Sequence, residues 1–278
     1  MMYALDGKVA LVTGAGRHRG LGEAMAKRLA TEGVKVVITD IGVEKGAQFA
    51  AEHIGSTAEM DEIAGEISAA GGAATPHICD VTQEEQVAAA VKKAVDTYGR
   101  LDIMINNAGI GYLMTDILNL EQKDWDAVLN VNLRGVFFGI KHAAKQMIAQ
   151  GDGGTIINVA SQAAKRGFAG AAAYVSSKHG VVGLTRTAAL EFGPHNIRVN
   201  SICPNHVTTG LGAWQNEHFS AAGGQSENTY MEAMQSRIPL GRVGLTSDIA
   251  ATAAFLCSDQ APYVTGQNLD VSGGEEMH

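Results

Sequence analysis

Short apolar runs alternate with longer amphipathic stretches along this chain. The apolar runs are poor in alternating polar residues, which is typical of strands buried on both faces of a sheet. They predict strands at 8–13, 34–39, 74–79, 101–106, 155–159, 198–202 and 268–271. Helical periodicity predicts helices at 21–31, 44–70 with a break near Gly55, 84–97, 121–150, 172–192 and 247–258.

This alternation sets the expected fold class. Repeated β-α-β units connect through right-handed crossovers, so the strands run parallel and helices cover both faces. No Pro/Gly/Ser-rich linker and no repeat divides the chain, and 278 residues suit one large α/β domain. The sequence therefore predicts a single doubly wound α/β domain over residues 1–278.

A glycine cluster follows the first predicted strand and opens the first predicted helix. Gly14, Gly16, Gly20 and Gly22 stand there, where glycines allow a tight turn and a close approach to a pyrophosphate at the positive end of the helix. The second strand ends in Asp40. A carboxylate at that distance suits a ribose 2′-hydroxyl and repels a 2′-phosphate, whereas the alternative interpretation is a solvated acid at a strand end.

Tyr174 and Lys178 are four residues apart, so they share one face of the predicted helix 172–192. A tyrosine has an ordinary pKa of about 10 and needs a shift of two to three units to act near neutrality. An ammonium about 4 Å away supplies roughly 1 kcal/mol in water but roughly 4 kcal/mol in a protein cleft. The pair can therefore act as a base in a partly dry site, although Y-x-x-x-K alone more often marks an ordinary surface pair.

These pieces together resemble the short-chain dehydrogenases/reductases, and the resemblance covers essentially the whole chain. Further motifs in that family's order and spacing are Asp80-Val81, Asn106-Asn107-Ala108-Gly109, Asn132 in V-N-L-R-G, Ser161, R-I-P-L-G-R-V-G, and V-T-G-Q-N-L-D-V-S-G-G near the C-terminus. The resemblance implies a seven-stranded Rossmann sheet, a nicotinamide cofactor and alcohol–carbonyl redox chemistry.

The resemblance also implies a catalytic set. Tyr174 would exchange a proton with the substrate oxygen, and Lys178 would lower the pKa of Tyr174 and hold the nicotinamide ribose. Ser161 would hydrogen-bond the substrate oxygen, and Asn132 would hold a water that links Lys178 to solvent. Taken alone, Asn132 would be an ordinary buried polar side chain satisfied by backbone, and Ser161 could be a helix cap; only their spacing to the other motifs favours the catalytic roles.

Nineteen positions are expected to contact the cofactor. Among them, Asp80 and Val81 would touch the adenine, and Val207 and Thr209 would meet the nicotinamide carboxamide. The full set is Gly14, Gly16, Arg17, Arg19, Gly20, Leu21, Gly22, Asp40, Ile41, Asp80, Val81, Asn107, Ala108, Gly109, Tyr174, Lys178, Pro204, Val207 and Thr209.

The glycine loop departs from the family pattern, because Thr13-Gly14 and Gly20-x-Gly22 are two residues further apart than usual. A two-residue bulge would bring Arg17, His18 and Arg19 near the adenosine phosphates. Arg17 or Arg19 could then accept a 2′-phosphate, which opposes the preference set by Asp40. A buried carboxylate beside a phosphate is costly unless it is paired, so the sequence predicts NAD(H), with NADP(H) as the less favoured alternative.

Two other departures from the family pattern have less bearing on the reaction. Asn205 follows Pro204 where the family has glycine, and asparagine tolerates a positive φ well enough to keep the turn. Its amide would also lie near the nicotinamide and the substrate. The stretch between Asp40 and Asp80 is longer than usual and is expected to form a second short helix on the outer face.

Substrate recognition is expected in residues 206–241, at the carboxyl ends of the strands. The side chains there suit an apolar or aromatic secondary alcohol or ketone, although a subunit contact would use them nearly as well, and Gly223-Gly224 offers a hinge. Those side chains, with two more expected to face the pocket, are Trp214, Phe219, Tyr230, Met231, Met234, Gln162 and Phe168.

Composition narrows the alternatives. The net charge is −8 without a dense basic cluster, which disfavours nucleic acid and, more weakly, a coenzyme A or acyl-carrier thioester. Cys79, Cys203 and Cys257 have no C-x-x-C spacing and are expected to be free thiols in a reducing compartment. No leader pattern, membrane-length apolar run or metal-ligand spacing is present, so a metal-free, soluble, cytoplasmic protein is expected.

The leading hypothesis is therefore an NAD-dependent dehydrogenase of a secondary alcohol, reversible as a carbonyl reductase. The alternatives are an NADPH-dependent 3-oxoacyl-thioester reductase and, from another class, a catalytically silent dinucleotide-binding module. The resemblance implies a homotetramer, in which the helices at 121–150 and 172–192 pair between subunits.

Overall fold

A computed structural model describes residues 3–42, 56–111, 114–209, 212, 216–217, 220–221 and 223–277. Its strands are β1 (Val9–Thr13), β2 (Lys35–Asp40), β3 (Ala73–Ile78), β4 (Ile103–Asn106), β5 (Gly154–Val159), β6 (Ile197–Pro204) and β7 (Asn268–Val271). Within the described residues they form one parallel sheet in the order β3-β2-β1-β4-β5-β6-β7. The predicted doubly wound, seven-stranded Rossmann sheet is confirmed.

Helices cover both faces of this sheet, which explains why the central strands are apolar throughout. The helices are α1 (Leu21–Thr31), α2 (Thr57–Ala69), α3 (Glu84–Tyr98), α4 (Gln122–Leu129), α5 (Gly135–Gln150), α6 (Ala172–Phe192), α7 (Glu227–Gln235) and α8 (Thr246–Cys257). One core layer packs α1, α2 and α8 against the sheet, and the other packs α3, α5 and α6 against the opposite face.

Two segments differ from the sequence prediction, and a third can be compared only in part. The helix predicted at 121–150 contains a π-helical turn at Asn130–Arg134 between α4 and α5, set by tertiary contacts of Asn132 that no 3.6-residue period encodes. Helix α7 was not among the predicted helices, because its apolar periodicity is weak: Met234 is its one buried residue. The helix predicted at 44–70 is described only from Thr57, because 44–55 lie outside the described residues.

A buried row of polar side chains ties β4, β5 and α6 together. Asn106 Nδ2 donates to Asn158 Oδ1 at 2.8 Å, and Asn158 Nδ2 donates to Thr185 Oγ1 at 2.9 Å. Thr185 Oγ1 donates in turn to the carbonyl of Val181 at 2.8 Å. These bonds satisfy polar groups inside an otherwise apolar layer and fix α6 against the strands.

The carboxyl ends of the parallel strands meet at one edge of the sheet, where such folds bind their ligands. Thr13, Asp40, Asn106, Val159 and Pro204 are the last residues of five of these strands. Among the described residues, no helix is both long enough and apolar enough to cross a bilayer.

Candidate active site

The loop after β1 packs more closely against its neighbours than side chains would allow. Gly14 has φ +64°, and a Cβ placed on it would lie 2.7 Å from Ala108 Cα. A Cβ on Gly22 would lie 2.8 Å from Ala15 Cα. The backbone thus forms a narrow cradle before the first turn of α1, whose amides lack helical partners. This geometry fits the pyrophosphate of a dinucleotide.

Asn107 and Thr13 hold this cradle in place. Thr13 Oγ1 accepts hydrogen bonds from the backbone amides of Asn107 at 3.0 Å and Ala108 at 3.1 Å. Asn107 Nδ2 donates to the carbonyls of Thr13 and Gly14, both at 2.9 Å. Asn107 therefore has the structural role that its motif predicts in part, and its contact with the cofactor stays a prediction.

The residues added to the glycine loop contact carboxylates. Arg19 has φ +59°, and its amide donates to Glu23 Oε2 at 2.6 Å. The amide of His18 donates to Glu59 Oε1, also at 2.6 Å. The His18 ring lies 3.0 Å from Glu23 Oε1 and 3.5 Å from Glu62 Oε2, and the hydrogen bond with Glu23 raises the pKa of His18. The predicted contact of Arg17 and Arg19 with phosphates stays a prediction.

The acids after β2 and β3 are also fixed by backbone amides. Asp40 accepts from the amides of Gly16 at 3.1 Å and Ile41 at 2.8 Å. Asp80 Oδ1 accepts from the amide of Thr82 at 3.0 Å and from its hydroxyl at 2.8 Å. Both carboxylates are therefore oriented at the ligand edge of the sheet before any ligand binds.

Asn132 and Lys178 meet beside Gly109, at the mouth of β4. Asn132 is fully buried, and its side chain bonds the amide of Ile110 at 2.8 Å, the carbonyl of Ile110 at 3.0 Å and Ser177 Oγ at 3.3 Å. A Cβ on Gly109 would lie 3.3 Å from Asn132 Oδ1 and 3.7 Å from Lys178 Nζ. The buried-polar interpretation of Asn132 is thus observed, and its position beside Lys178 also fits the family role.

In the Tyr174–Lys178 pair the lysine is buried and the tyrosine is partly exposed, which matches the partly dry site that its chemistry requires. Lys178 is only 5% exposed, and its Nζ lies 5.6 Å from the centroid of the Tyr174 ring. Nζ also donates to the carbonyl of Val159 at 2.8 Å, which ties α6 to the end of β5. Burial lowers the pKa of Lys178 to about 8, so the ammonium form still predominates by roughly ten to one at neutral pH.

Ser161 follows the end of β5 and caps the next turn. Its Oγ accepts from the amide of Ala163 at 3.1 Å and so caps the 3₁₀ turn Gln162–Ala164. A hydroxyl that accepts one bond still has its own proton to donate. Because the side chain is 6% exposed, the cap fixes its direction, and the cap and substrate-binding interpretations are compatible.

The loop after β6 begins at Pro204, the last residue of that strand. Val207 is buried, and Thr209 Oγ1 accepts from the amide of Gly212 at 3.0 Å. Both residues contribute to the structure of the loop, and their contact with the carboxamide stays a prediction. Burial lowers the pKa of His206 in the same loop.

Part of the expected substrate surface is used for internal contacts. Gln162 Oε1 accepts from Arg166 Nη2 at 2.9 Å, and the Arg166 guanidinium lies 4.9 Å from the Phe168 ring centroid. Met234 is 3% exposed and packs inside the molecule, whereas Tyr230 and Met231 are partly exposed on α7. Trp214, His218 and Phe219 lie outside the described residues.

Sequence reasoning did not identify a cluster of charges at the C-terminal tail. Asn205 Nδ2 donates to the Glu275 carboxylate. Glu275 Oε1 lies 3.6 Å from Arg166 Nη2 and 3.7 Å from Arg237 Nε, and Glu276 Oε1 lies 2.7 Å from Arg166 Nε. The sequence signal for this cluster was the pair of adjacent acids, Glu275 and Glu276, directly after Gly273-Gly274. The cluster joins the turn after Ser161, the loop after β6 and the end of α7.

A second unpredicted cluster lies at the expanded glycine loop. His18, Glu23 and Glu66 bring their ligand atoms close enough to share a cation. Lys27 Nζ lies 2.6 Å from Glu23 Oε1 and 2.5 Å from Glu66 Oε2. The ammonium of Lys27 therefore already neutralises the carboxylates of Glu23 and Glu66.

Comparisons with known proteins agree with this geometry. Residues 14–276 match the sequence profile of a family described as enoyl-(acyl carrier protein) reductase. The mitochondrial borneol dehydrogenase of Lavandula x intermedia is 41% identical over 99% of this chain and 92% of its own length. The 3-oxoacyl-acyl-carrier-protein reductase of Thermotoga maritima is 36% identical over 97% of this chain and 98% of its own length.

A solved structure supports the same assignment. A protein described as a short-chain alcohol dehydrogenase of Sinorhizobium meliloti matches with a TM-score of 0.83 and 33% identity, over 97% of this chain and 96% of that one. The chain belongs to the short-chain dehydrogenase/reductase family, and it is an oxidoreductase that uses a nicotinamide dinucleotide to interconvert a secondary alcohol and a ketone.

Proposed function

We propose that the chain is an NAD(H)-dependent dehydrogenase of a secondary alcohol in which Tyr174 is the acid/base group. The observation that carries this proposal is the buried ammonium of Lys178, 5.6 Å from the Tyr174 ring centroid. A buried cation favours the phenolate over the phenol. Tyr174 can then accept the alcohol proton near neutrality, as general base catalysis requires.

The residues present fit the implied cofactor. The Gly14–Gly22 cradle and the first turn of α1 would hold the pyrophosphate, Asp40 the adenosine ribose, and Asp80 with Val81 the adenine. When bound, the nicotinamide supplies the hydride acceptor for alcohol oxidation and the hydride donor for ketone reduction.

Two other side chains complete the proposed site. Ser161 would donate its hydroxyl proton to the substrate oxygen, in a direction fixed by its bond from the amide of Ala163. Asn132 would keep Lys178 connected to solvent beside Gly109, where both side chains lie close together. Tyr174 thereby has a substrate neighbour on one side and a proton route on the other.

The preference for NAD(H) over NADP(H) is part of the proposal. Asp40 already engages the amides of Gly16 and Ile41, so its charge is fixed where a 2′-phosphate would sit. Steady-state kinetics with both oxidised cofactors test this preference, and a higher kcat/KM with NADP⁺ would refute it.

We propose an apolar or aromatic secondary alcohol as the substrate class, recognised by residues 206–241. The 41% identity to a borneol dehydrogenase supports an apolar alcohol. A panel of secondary alcohols with NAD⁺, followed by nicotinamide absorbance, tests the class. Faster reduction of a 3-oxoacyl thioester with NADPH would instead favour the activity named for the Thermotoga maritima relative.

We also propose a homotetramer. A groove between α4, α5 and α6 is lined mainly by apolar and small residues, including Leu133, Phe137, Gly180 and Leu184. Phe137 is 44% exposed, and a second copy of this chain would cover it. Light scattering of the purified protein measures the mass, which for four chains of 29.0 kDa is four times that of one.

A cytoplasmic location is the last part of the proposal. Cys79, Cys203 and Cys257 are buried free thiols, which suits a reducing compartment. Cell fractionation with an antibody against the chain tests it.

A further inference from the structure

Three amides of the expanded glycine loop each donate to a carboxylate from a different element. The amide of Gly16 donates to Asp40 at the end of β2. The amide of His18 donates to Glu59 in the first turn of α2, and the amide of Arg19 donates to Glu23 in the first turn of α1. Backbone amides beside a helix N-terminus ordinarily form an anion-binding concavity. Here carboxylates of the chain occupy these amides.

Glu59 comes from the stretch that lengthens the chain between β2 and β3. Ser56 caps α2 and accepts from the amide of Glu59 at 3.1 Å. The Ser-x-x-Glu spacing is that of a capping box, yet Glu59 Oε1 bonds the loop amide of His18. The adjacent Met60 packs against Gly16, where an added Cβ would lie 3.1 Å from its Sδ. Helix α2 therefore docks onto the glycine loop through its first turn.

Glu23 keeps its negative charge although it is buried. Burial alone would raise the pKa of Glu23, but hydrogen bonds from Lys27 and His18 lower it below the usual value. Lys27 in turn contacts both Glu23 and Glu66. Lys27 and His18 are thus already engaged by carboxylates, since the ring of His18 is held by Glu23 and Glu62.

We propose that Glu59 and Glu23 are specificity-determining residues that, together with Asp40, select NAD(H) against NADP(H). A 2′-phosphate carries a charge of about −1.5 to −2. It would meet three carboxylates and find the nearby amides already bonded. The pyrophosphate does not depend on these amides, because the first turn of α1 provides others. The inference rests on the proposed NAD(H) function and explains why the loop carries two additional residues.

The decisive experiment measures binding of NADH and NADPH to the purified enzyme by nicotinamide fluorescence, without substrate. Glu59→Gln removes the charge and retains an oxygen that accepts from His18. We expect NADPH to bind about tenfold more tightly than to the wild type, as loss of one nearby like charge predicts, and NADH affinity to change less than twofold. Asp61→Asn, an exposed acid on the same helix, is the matched control and should change neither affinity.

The salt dependence of cofactor binding provides a second measurement. Screening weakens repulsion between partly exposed charges, so the NADH preference of the wild type should fall as salt rises from about 0.05 to 0.5 M, and that of Glu59→Gln should fall less. Glu23→Gln should also tighten NADPH binding.

The outcomes separate the two levels of the proposal. An NADH-preferring wild type whose NADPH affinity is unchanged in both Glu59→Gln and Glu23→Gln would overturn this inference alone. An equal gain in Asp61→Asn would also overturn it, because the effect would then be general surface charge. A wild type that binds NADPH more tightly, and loses that binding in Arg19→Ala, would overturn the NAD(H) assignment itself.

Discussion

Replacing Lys178 with methionine removes the buried ammonium and retains an unbranched side chain of similar length. Lys178 Nζ lies 5.6 Å from the Tyr174 ring centroid. For two unit charges about 6 Å apart at an effective dielectric of about 20, the interaction is about 3 kcal/mol. This energy equals about two pKa units for the Tyr174 phenol. We therefore expect Lys178→Met to raise the pKa of Tyr174 by about two units.

The rate consequence follows from the fraction of phenolate. At neutral pH, below both pKa values, alcohol oxidation should be about 100-fold slower in Lys178→Met. The deficit should shrink at higher pH as Tyr174 deprotonates without help. In the wild type, the Lys178 ammonium begins to lose its proton near its pKa of about 8. Tyr174 and Lys178 therefore titrate as a coupled pair, and the low-pH side of the pH–rate profile, the acid limb, reports on both groups.

The assay is kcat for oxidation of a secondary alcohol at saturating NAD⁺ across about pH 6 to 10. Lys178→Arg is the control, because it keeps a cation at the position and should shift the acid limb far less. A thermal melt of each variant accounts for the lost bond to the carbonyl of Val159, expected to cost about 1 kcal/mol of unfolding free energy.

Two results would refute this reasoning. An acid limb in Lys178→Met within half a unit of the wild type would show that the ammonium does not set the pKa of Tyr174. A uniform loss of rate at every pH, with the limb unmoved, would show that Lys178 acts by holding the cofactor and not through the phenol.

Three further substitutions test separate parts of the molecule. Tyr174→Phe should lower kcat by about 10³-fold with the dissociation constant of NADH unchanged, and turnover at the wild-type rate would exclude it as the acid/base group. Glu275→Gln should weaken the links to Asn205 and Arg166 and raise KM for the alcohol several-fold with little change in kcat. An unchanged KM would show that the C-terminal tail does not affect binding of the substrate. Asn158→Ala should lower the unfolding free energy by about 2–3 kcal/mol, because it leaves buried polar partners unsatisfied, and urea unfolding within 0.5 kcal/mol of the wild type would contradict that.

Much of the fold could be predicted because its signals are local. Strands buried on both faces read as apolar runs, and helix α6 begins and ends where its sequence pattern does, at Ala172 and Phe192. The proximity of Lys178 and Asn132 beside Gly109 could be expected only from the family resemblance, because more than 20 residues separate each pair along the chain. Their convergence depends on the parallel order of the strands.

The remaining features depend on contacts between distant residues. The π turn around Asn132 arises from its bonds to Ile110, which no periodicity within the helix records. The carboxylates that accept from the glycine loop come from 4, 24 and 41 residues away in sequence. The expansion of the loop alone therefore predicted only that Arg17, His18 and Arg19 lie near the phosphates. The role of the tail acids could not be predicted because the partners of Glu275, Asn205 and Arg237, are distant from it in sequence.

The buried polar row of Asn106, Asn158 and Thr185 has a consequence for the catalytic helix. Thr185 follows Lys178 by seven residues, two helical turns and about 10 Å along the axis, so both side chains project from the same stripe of α6. A helix packed only by aliphatic contacts can rotate about its axis or shift along it at a small cost in free energy. In α6, however, the hydrogen bond from Asn158 Nδ2 to Thr185 Oγ1 requires one rotation of the helix. The buried row therefore fixes the rotation of α6 about its axis, and with it the direction in which Lys178 points. Because the row lies inside the protein, neither substrate nor solvent reaches it.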